Sequence, residues 1–449
     1  MIPPKIPPQE EINSLIINYQ NGKFKIAMNL ALLMSKKFPD HPLSWKVLGA
    51  LFTHAGQMDK ALVANQNAVR LDPKDINSHF NLGVILKELG KFKEAELSYS
   101  QALSLKPDYA DAHNNLGNIL KELGKLEQAE VSFNQAIALK PNSSQTHYNL
   151  GVVLKELGKL EQAEVSYKRA IALKPDFADA YSNLGSILKD LGKLEEAEVS
   201  YRKSIALMPD YADTYFNLGI ILYINGNIDS ALESMEKANS IDPKSKKNRL
   251  LLNIFYAKRG SDKDIKTLNC NFGLKFNPLV LKRVVEPNLI KSLYEMNSRE
   301  LDRSKDARYG NGRCSLDFDL FEDSKSILKI VSDDLIHIMS EAVKSDVYVY
   351  DSFFNILGAG GGSKPHSHIS SLDKDKGLNL RNKKYSLVYY LCAGDQSSSE
   401  PGILKLYDPM EDILPYEGMI VIIPASRKHS AVYNGSKDRV MIGINFYSL

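Results

Sequence analysis

The sequence is poor in cysteine, in long apolar runs and in net charge, and each shortage excludes a class of protein. Its 449 residues include three cysteines, Cys270, Cys314 and Cys392, too few and too widely spaced for a disulfide framework or a C-x-x-C metal site. No apolar run reaches the roughly 18 residues of a membrane-spanning helix. A net charge of +3 is too small to indicate nucleic acid or a membrane surface as a partner. The N-terminal MIPPKIPPQEEIN lacks the apolar stretch of a signal peptide, so we expect a cytoplasmic protein of two or three domains.

The first half of the sequence repeats with a period of 34 residues. Glycines precede the repeated prolines by 24 residues, alanines precede them by 12 and, in four units, aromatic residues precede them by 8. The repeated prolines are Pro39, Pro73, Pro107, Pro141, Pro175, Pro209 and Pro243. Within each unit, two apolar stripes at helical spacing flank a turn such as ELGK, whose glycine suits a helix C-terminus. Small residues on both helices would let their backbones approach closely.

A 34-residue unit of this kind resembles the tetratricopeptide repeat. The resemblance implies seven helix pairs over residues 10–245, after a tail at 1–9 and before a capping helix and linker at 246–262. One helix pair cannot cover its own apolar face, so neighbouring pairs must stack into a superhelix with a concave groove.

Asparagine recurs with the same period on the face that lines the groove in this family. The residues are Asn81, Asn115, Asn149, Asn183 and Asn217. This arrangement resembles the asparagine ladder of the protein O-linked N-acetylglucosamine transferases, which implies an extended peptide or protein as partner. The alternative is that each asparagine bonds the next repeat and braces the array. His79, His113 and His147 are also 34 residues apart, so they cannot share one metal, and we interpret them as packing residues.

The pattern changes in the second half. We expect helices within 279–303, after Pro287, and over 325–343. From residue 346 onward, turn residues separate six short β-branched and aromatic runs: DVYVYDSFFNIL, YSLVYYL, GILKLY, GMIVIIP, HSAVY and RVMIGINFY. These runs predict an antiparallel jelly roll. The predicted fold class is therefore multidomain, an all-α tetratricopeptide superhelix followed by an α+β jelly-roll (double-stranded β-helix) domain over 263–449.

Two of the nine histidines stand two residues apart in SKPHSH. They are His366 and His368, and His429 and Arg439 follow in late strands. The arrangement resembles that of the Fe(II)/2-oxoglutarate dioxygenases, in which a His-x-Asp pair and a distal histidine hold iron and an arginine pairs with 2-oxoglutarate. The resemblance implies His366, His368 and His429 as metal ligands. It also implies that Arg439 binds 2-oxoglutarate together with Tyr389 or Tyr390, of which only one can point inward.

His368 departs from this pattern, because the family has an acid at that position. Three neutral imidazoles can bind Fe(II), copper or zinc, but the missing carboxylate puts the use of 2-oxoglutarate in doubt. Asp373 can replace the acid only if its loop folds back. Three functions remain open: an iron-dependent oxygenase (hydroxylase) of a protein or peptide recruited by the groove, a three-histidine cupin-like metal protein without 2-oxoglutarate, or a non-enzymatic scaffold for protein–protein interaction.

Overall fold

The computed structural model describes residues 6–261, 278–301, 312–316, 318–358, 361–375, 378–395, 402–433 and 435–449. The chain forms two compact units, Met1–Asp210 and Tyr211–Leu449. The predicted boundary at 262–263 and the start of the predicted tail, residues 1–5, lie outside the described residues.

The first unit consists of helix pairs. They are α1 (Gln9–Gln20), α2 (Phe24–Lys37), α3 (Pro42–His54), α4 (Met58–Leu71), α5 (Ile76–Glu88), α6 (Phe92–Leu105), α7 (Ala110–Glu122), α8 (Leu126–Leu139), α9 (Ser144–Glu156), α10 (Leu160–Leu173), α11 (Ala178–Asp190) and α12 (Leu194–Leu207). The turn within each pair contains a glycine with positive φ, such as Gly158 at +73°, a conformation that is costly for residues with a Cβ.

An aromatic ring fills the space beside the repeated glycine on the first helix of a pair. A Cβ added to Gly151 would lie 2.7 Å from the ring of Tyr167, which is fully buried. The same relation holds between Gly117 and Phe133. The glycine is therefore required by a ring from the second helix, and not by direct contact of two backbones.

The periodic histidines bond the periodic prolines. His79, His113 and His147 each place Nε2 2.9–3.0 Å from the carbonyl oxygen of the proline six residues earlier. In the second repeat unit Trp45 makes the same contact, because its Nε1 donates to the Pro39 carbonyl at 2.9 Å. These side chains thus satisfy a carbonyl in the turn between repeats, in addition to packing.

The second unit contains five helices and eleven strands within its described residues. The helices are α13 (Ala212–Ile224), α14 (Ile228–Ile241), α15 (Lys246–Ser261), α16 (Leu289–Tyr294) and α17 (Ser326–Val343). The strands are β1 (Leu279–Lys282), β2 (Ser298–Leu301), β3 (Gly312–Ser315), β4 (Val347–Leu357), β5 (Gly361–His366), β6 (Lys384–Cys392), β7 (Leu404–Leu406), β8 (Glu411–Ile413), β9 (Met419–Pro424), β10 (His429–Tyr433) and β11 (Arg439–Ser448). Among the described helices, none is both long enough and apolar enough to cross a membrane.

The strands form two antiparallel sheets. The large sheet has the order β1-β9-β6-β11-β4-β3-β2 and the small sheet has the order β5-β10-β7-β8. Side chains of both sheets pack together, for example Val421 and Met441 of the large sheet with Leu406 of the small one. The other face of the large sheet packs against α17 through residues such as Leu335 and Ile442.

Helix α15 lies against the sheet region of the same unit. Lys246 Nζ pairs with the carboxylate of Asp319 and donates to the Phe318 carbonyl at 3.1 Å. Arg249 pairs with Glu322 at 3.2 Å. The helix that follows the last repeat is therefore bound by two ion pairs to the segment that precedes α17.

The structure contains all six predicted strands and the helix expected over 325–343. The helix expected after Pro287 is present as α16, but it ends at Tyr294, and the continuation of the helix was wrong because β2 follows at Ser298–Leu301. The glycine-rich stretch before SKPHSH includes the start of a strand, β5, that is not among the six predicted ones, and its Gly361 and Gly362 pair with β10. Glycine has low β propensity, so this strand has no signal in the residue pattern.

Candidate metal centre

The structure brings the three predicted metal ligands together. β5 ends at His366 and β10 begins at His429, and the antiparallel register places these two residues opposite each other. The chain continues for two residues to His368, whose backbone N–H donates to the Ala425 carbonyl at 3.0 Å. One ring nitrogen from each histidine lies within 4.8 Å of the other two. Within the described residues, this is the one group of three or more potential metal ligands at such spacing.

The surroundings keep two of these imidazoles neutral. Burial and the neighbouring His429, His366 and Lys384 lower the pKa of His368 to about 3. Burial and His366 lower the pKa of His429 to about 4, although the contact with the Arg427 carbonyl opposes this shift. Neutral imidazole is the form that binds metals. Both rings therefore have the correct protonation state at neutral pH.

A carbonyl fixes the tautomer of His429. Its Nδ1 lies 3.3 Å from the Arg427 carbonyl oxygen and donates to it, which leaves Nε2 as the nitrogen with a free lone pair. That Nε2 is 3.3 Å from Nε2 of His368, so both nitrogens point to the same small volume. Arg427 itself is buried and donates to the Pro409 carbonyl at 2.7 Å, which ties the segment before His429 to the turn between β7 and β8.

The histidines line a cavity of about 300 Å³ between the two sheets. Alternate residues of β6 (Ser386, Val388 and Tyr390) and of β4 (Asp351, Phe353 and Asn355) form its wall on the large sheet. The cavity is at the small end of the range for ligand sites, and its lining combines apolar side chains with a few polar groups.

Arg439 is buried between the sheets, at the end of β10 remote from His429. Its Nε donates to the Ala393 carbonyl at 3.1 Å and its Nη1 to the Gly402 carbonyl at 2.8 Å. Nη2 has no hydrogen-bond partner among the described residues. None of these residues forms an ion pair with Arg439. Burial lowers the pKa of Arg439, against the opposing effect of nearby tyrosines. The guanidinium does not line the cavity.

The two candidate tyrosines lie on opposite faces of the large sheet. Tyr390 lines the cavity, is fully buried, and its ring centre is 5.8 Å from the Arg439 guanidinium carbon. Tyr389 faces the helical side, where its hydroxyl donates to the Val284 carbonyl at 3.0 Å and accepts from Arg283 at 3.1 Å. Of the pair, Tyr390 is the one placed between the histidines and Arg439.

Asp373 is held away from the metal ligands by a buried network. Its carboxylate accepts from Lys384 Nζ at 3.0 Å, from the Tyr447 hydroxyl at 2.7 Å and from Ser370 N at 2.6 Å. Burial alone would raise the pKa of Asp373, but these hydrogen bonds and the Lys384 charge lower it. The carboxylate thus stabilises the fold above an unfolded pKa near 4, and this contribution is lost as the pH falls below that value.

The three central repeated asparagines contact side chains of neighbouring repeats. Asn183 Nδ2 donates to the Tyr148 hydroxyl at 3.0 Å, and Asn149 Nδ2 lies 3.5 Å from Asn114 Oδ1. Asn115 Nδ2 lies 3.4 Å from the Tyr99 hydroxyl. Asn81 is exposed and Asn217 is half-buried. The central asparagines therefore have a bracing contact and retain exposed surface.

Two polar residues of the cavity region were not found from the sequence. Asp351 stands in DVYVYDSFFNIL, a run that predicts a strand, and Lys384 directly precedes another such run, YSLVYYL. The available signal for each was a charged residue on the inward-facing side of a predicted strand. This signal can be used only when it is known which face of the strand points inward. The sequence does not show that.

Comparison with known families identifies the helical repeats. The tetratricopeptide repeat family matches residues 49–90, 84–124, 117–158, 153–192 and 185–226, and a second description of the same repeat matches 212–245. Residues 49–245 are thus a tetratricopeptide repeat array, which is a protein-interaction scaffold. The pair α1–α2 precedes the matched residues. No curated protein matches the chain.

Several solved structures are similar to part of the chain. YrrB, a tetratricopeptide repeat protein with an unusual peptide-binding site, is 25% identical, with a TM-score of 0.39 and coverage of 44% of this chain and 98% of that one. MamA is 26% identical, with a TM-score of 0.35 and coverage of 36% and 95%. The pilF protein of Pseudomonas aeruginosa is 22% identical, with a TM-score of 0.42 and coverage of 48% and 97%.

The Lys384–Asp373 pair provides a test of the region that holds His368. Both side chains are at most 4% exposed, so Lys384→Met leaves an uncompensated buried carboxylate. We expect the free energy of unfolding of the sheet region to fall by about 3–5 kcal/mol. Native-state hydrogen exchange of β6 and β11 amides measures this separately from the repeats. The double variant Lys384→Met/Asp373→Asn should recover part of the loss. Strictly additive losses would show that the two residues are not coupled.

Proposed function

We propose that the protein is an iron- and 2-oxoglutarate-dependent hydroxylase of a protein or peptide recruited by the tetratricopeptide array. The observation that carries the proposal is the convergence of His366, His368 and His429 at one cavity between two antiparallel sheets. His368 and His429 are 61 positions apart in the sequence, so their meeting is a property of the fold and not of local sequence.

The strand order supports a jelly-roll identity for the sheet region. From β4 onward the chain moves repeatedly between the sheets: β4, β6, β9 and β11 lie in the large sheet, whereas β5, β7, β8 and β10 lie in the small one. An eight-stranded double sheet with such crossings is the jelly-roll arrangement. β1, β2 and β3 then extend the large sheet at its two edges.

The donor set fits a first-row transition metal. His366, His368 and His429 would hold the ion through neutral imidazole nitrogens, which suit Fe(II) as well as copper and zinc. Three ligands leave positions for exogenous groups. The donation from His429 Nδ1 to the Arg427 carbonyl orients the ring, as an outer partner commonly does for a metal-bound histidine.

Arg439 fits the role of a carboxylate partner. It is a fully buried cation without an ion-pair partner among the described residues, and its Nη2 lacks a hydrogen bond. A guanidinium in this state favours a carboxylate, which would supply both the charge and the acceptor. Tyr390, beside it on the cavity wall, adds a hydroxyl whose pKa burial raises to about 12, so it remains a donor.

The remaining residues of the cavity would bind and shield the reactants. When bound, ferrous iron and 2-oxoglutarate supply the activation of O₂ that hydroxylation requires. Val388, Met441 and Leu404 line the cavity with apolar surface and exclude water. Asp373 does not compete for the ion, because Lys384, Tyr447 and Ser370 already bind its carboxylate.

The departure at His368 favours a second candidate, a three-histidine metal protein of the cupin type that does not use 2-oxoglutarate. A third imidazole in place of a carboxylate leaves the centre with one negative charge fewer. The two candidates share the ligands and differ in the role of Arg439. The third candidate is a scaffold that binds no metal, and the experiments below distinguish it from the other two.

Metal content tests the centre directly. The protein is prepared with iron, freed of loosely bound ions and analysed for iron per chain. His366→Ala, His368→Ala and His429→Ala should each weaken iron binding by at least about tenfold, since even the loss of an outer partner of a ligand has such an effect. His368→Asp should retain iron, because it restores the acid of the dioxygenases.

His337→Ala is the matched control, because His337 is exposed on α17. It should leave the iron content unchanged. Retention of iron by all three alanine variants of the cluster, or the absence of iron from the wild type, would refute the metal centre and leave the scaffold.

Binding of 2-oxoglutarate tests Arg439. Arg439→Gln should retain iron but bind 2-oxoglutarate at least roughly tenfold more weakly, since a hydrogen bond to a charged group contributes about 1.5–3 kcal/mol. Calorimetric titration of the iron-loaded protein under anaerobic conditions measures the affinity. Tyr390→Phe should weaken binding less, and Tyr389→Phe, altered on the opposite face, should not change it. An iron-loaded wild type that does not bind 2-oxoglutarate would favour the cupin-type candidate.

Substitution of the asparagines tests recruitment by the array. Asn115→Ala/Asn149→Ala/Asn183→Ala should reduce capture of partner proteins, because each lost hydrogen bond contributes about 1 kcal/mol. Capture is measured by affinity pull-down and fold by thermal unfolding. Asn134→Ala, on the exposed face of α8, is the control. A lower melting temperature with unchanged capture would assign the asparagines to bracing alone.

A further inference from the structure

Asp351 is a carboxylate of the cavity that the functions proposed above do not use. It lies on the inward face of β4, is half-buried, and lines the same cavity as the three histidines. Asn445 Nδ2 donates to its Oδ1 at 2.7 Å, and Ser386 Oγ in turn donates to Asn445 Oδ1 at 2.6 Å. These two bonds hold the carboxylate in one orientation.

Asp351 has no ion-pair partner among the described residues, although cations are near. Lys384 and Lys246 both act on it electrostatically, but the first is bonded to Asp373 and the second to Asp319. Burial raises the pKa of Asp351, and the Asn445 hydrogen bond and the two lysines only partly oppose this effect. A desolvated carboxylate of this kind favours a cation that approaches closely.

Arg299 also faces the cavity, but at another level of the sheet. Its Nε donates to Cys314 Sγ at 2.9 Å, and Cys314 pairs with Asn355. Asn355 is four positions from Asp351 along β4, roughly 13 Å at the usual rise per residue. Arg299 therefore does not neutralise Asp351 by direct contact.

Two aromatic rings lie next to the carboxylate. Phe353 and Phe318 line the cavity with ring centres 5.4 Å apart in an edge-to-face arrangement, and Phe318 is 43% exposed. Exposed aromatic surface at a cavity suits the aliphatic stem of a long side chain, and ring faces also attract cations. The volume of about 300 Å³ suits a single side chain better than a large free molecule.

We propose that Asp351, with Phe353 and Phe318, binds a basic side chain of the substrate, the ammonium group of lysine, at the cavity of the three histidines. The proposal names the substrate class of the proposed hydroxylase and to that extent rests on it. Asp351 binds substrate here, and Asn445 and Ser386 are positioning residues.

The test measures binding, so that it does not depend on turnover. The probes are the pentapeptides acetyl-Gly-Gly-X-Gly-Gly-amide with lysine, norleucine or glutamate at X, titrated into the full-length protein by saturation-transfer NMR. Norleucine has a similar aliphatic chain without the ammonium group. The wild type should bind the lysine peptide at least about tenfold more tightly than the norleucine peptide.

Asp351→Asn keeps an acceptor for Asn445 and should abolish that preference, whereas Asp351→Glu should retain most of it. Asp412→Asn removes an exposed acid of β8 and is the charge-matched control, with an unchanged preference. Equal binding of the lysine and norleucine peptides by the wild type, tighter binding of the glutamate peptide, or a preference that survives in Asp351→Asn would overturn the proposal. If Asp351→Asn does not fold, Asp351→Glu and the wild-type peptide series decide the question.

Iron content is measured on the same samples to separate the two proposals. A lysine preference that depends on Asp351 in a protein without iron would refute the hydroxylase and support the basic subsite. An iron-loaded protein without that preference would refute the subsite and leave the hydroxylase standing.

Discussion

The pairing of β5 with β10 is the interaction on which the candidate centre depends. This pairing sets His366 opposite His429, and the chain then carries His368 only two residues further. If the register shifted by one residue, alternate side chains would exchange faces and one of the rings would leave the cavity. The glycines of β5 contribute backbone hydrogen bonds without side-chain packing, so the register depends largely on the rest of the sandwich.

The rest of the sandwich holds that register from both ends. On one side Arg427 ties the segment before His429 to the turn after β7, and on the other Asp373 and Lys384 tie the loop after His368 to β6. Neither contact uses the histidines themselves. Buried charged residues next to the centre thus hold the segments that carry the ligands, and the Asp373–Lys384 contact is a buried pair that is costly to break.

The sequence predicted the repeats well and the site in part. A fixed period shows the same unit several times. The repeated glycine and aromatic positions, such as Gly151 and Tyr167, can therefore be recognised without a structure. The histidine cluster was predictable because its spacing resembles a known pattern. The choice between Tyr389 and Tyr390 was not, because alternation places the two on opposite faces of the strand without showing which face lies toward the small sheet. Asp351 was missed for a related reason: a single charge in an apolar run acquires meaning only when the inward face is known.

The ion pairs of α15 affect how the chain can be divided. The predicted domain boundary at 262–263 suggests a cut between α15 and the sheet region, yet Lys246 and Arg249 of α15 bind Asp319 and Glu322 beyond that point. Such a cut would leave two acids without their cations beside the segment that leads to β4. The helix pair α13–α14 also lies in the same compact unit as the sheets. An experimental fragment that carries the histidines is therefore better defined as beginning at Tyr211, so that it includes the helix pair α13–α14.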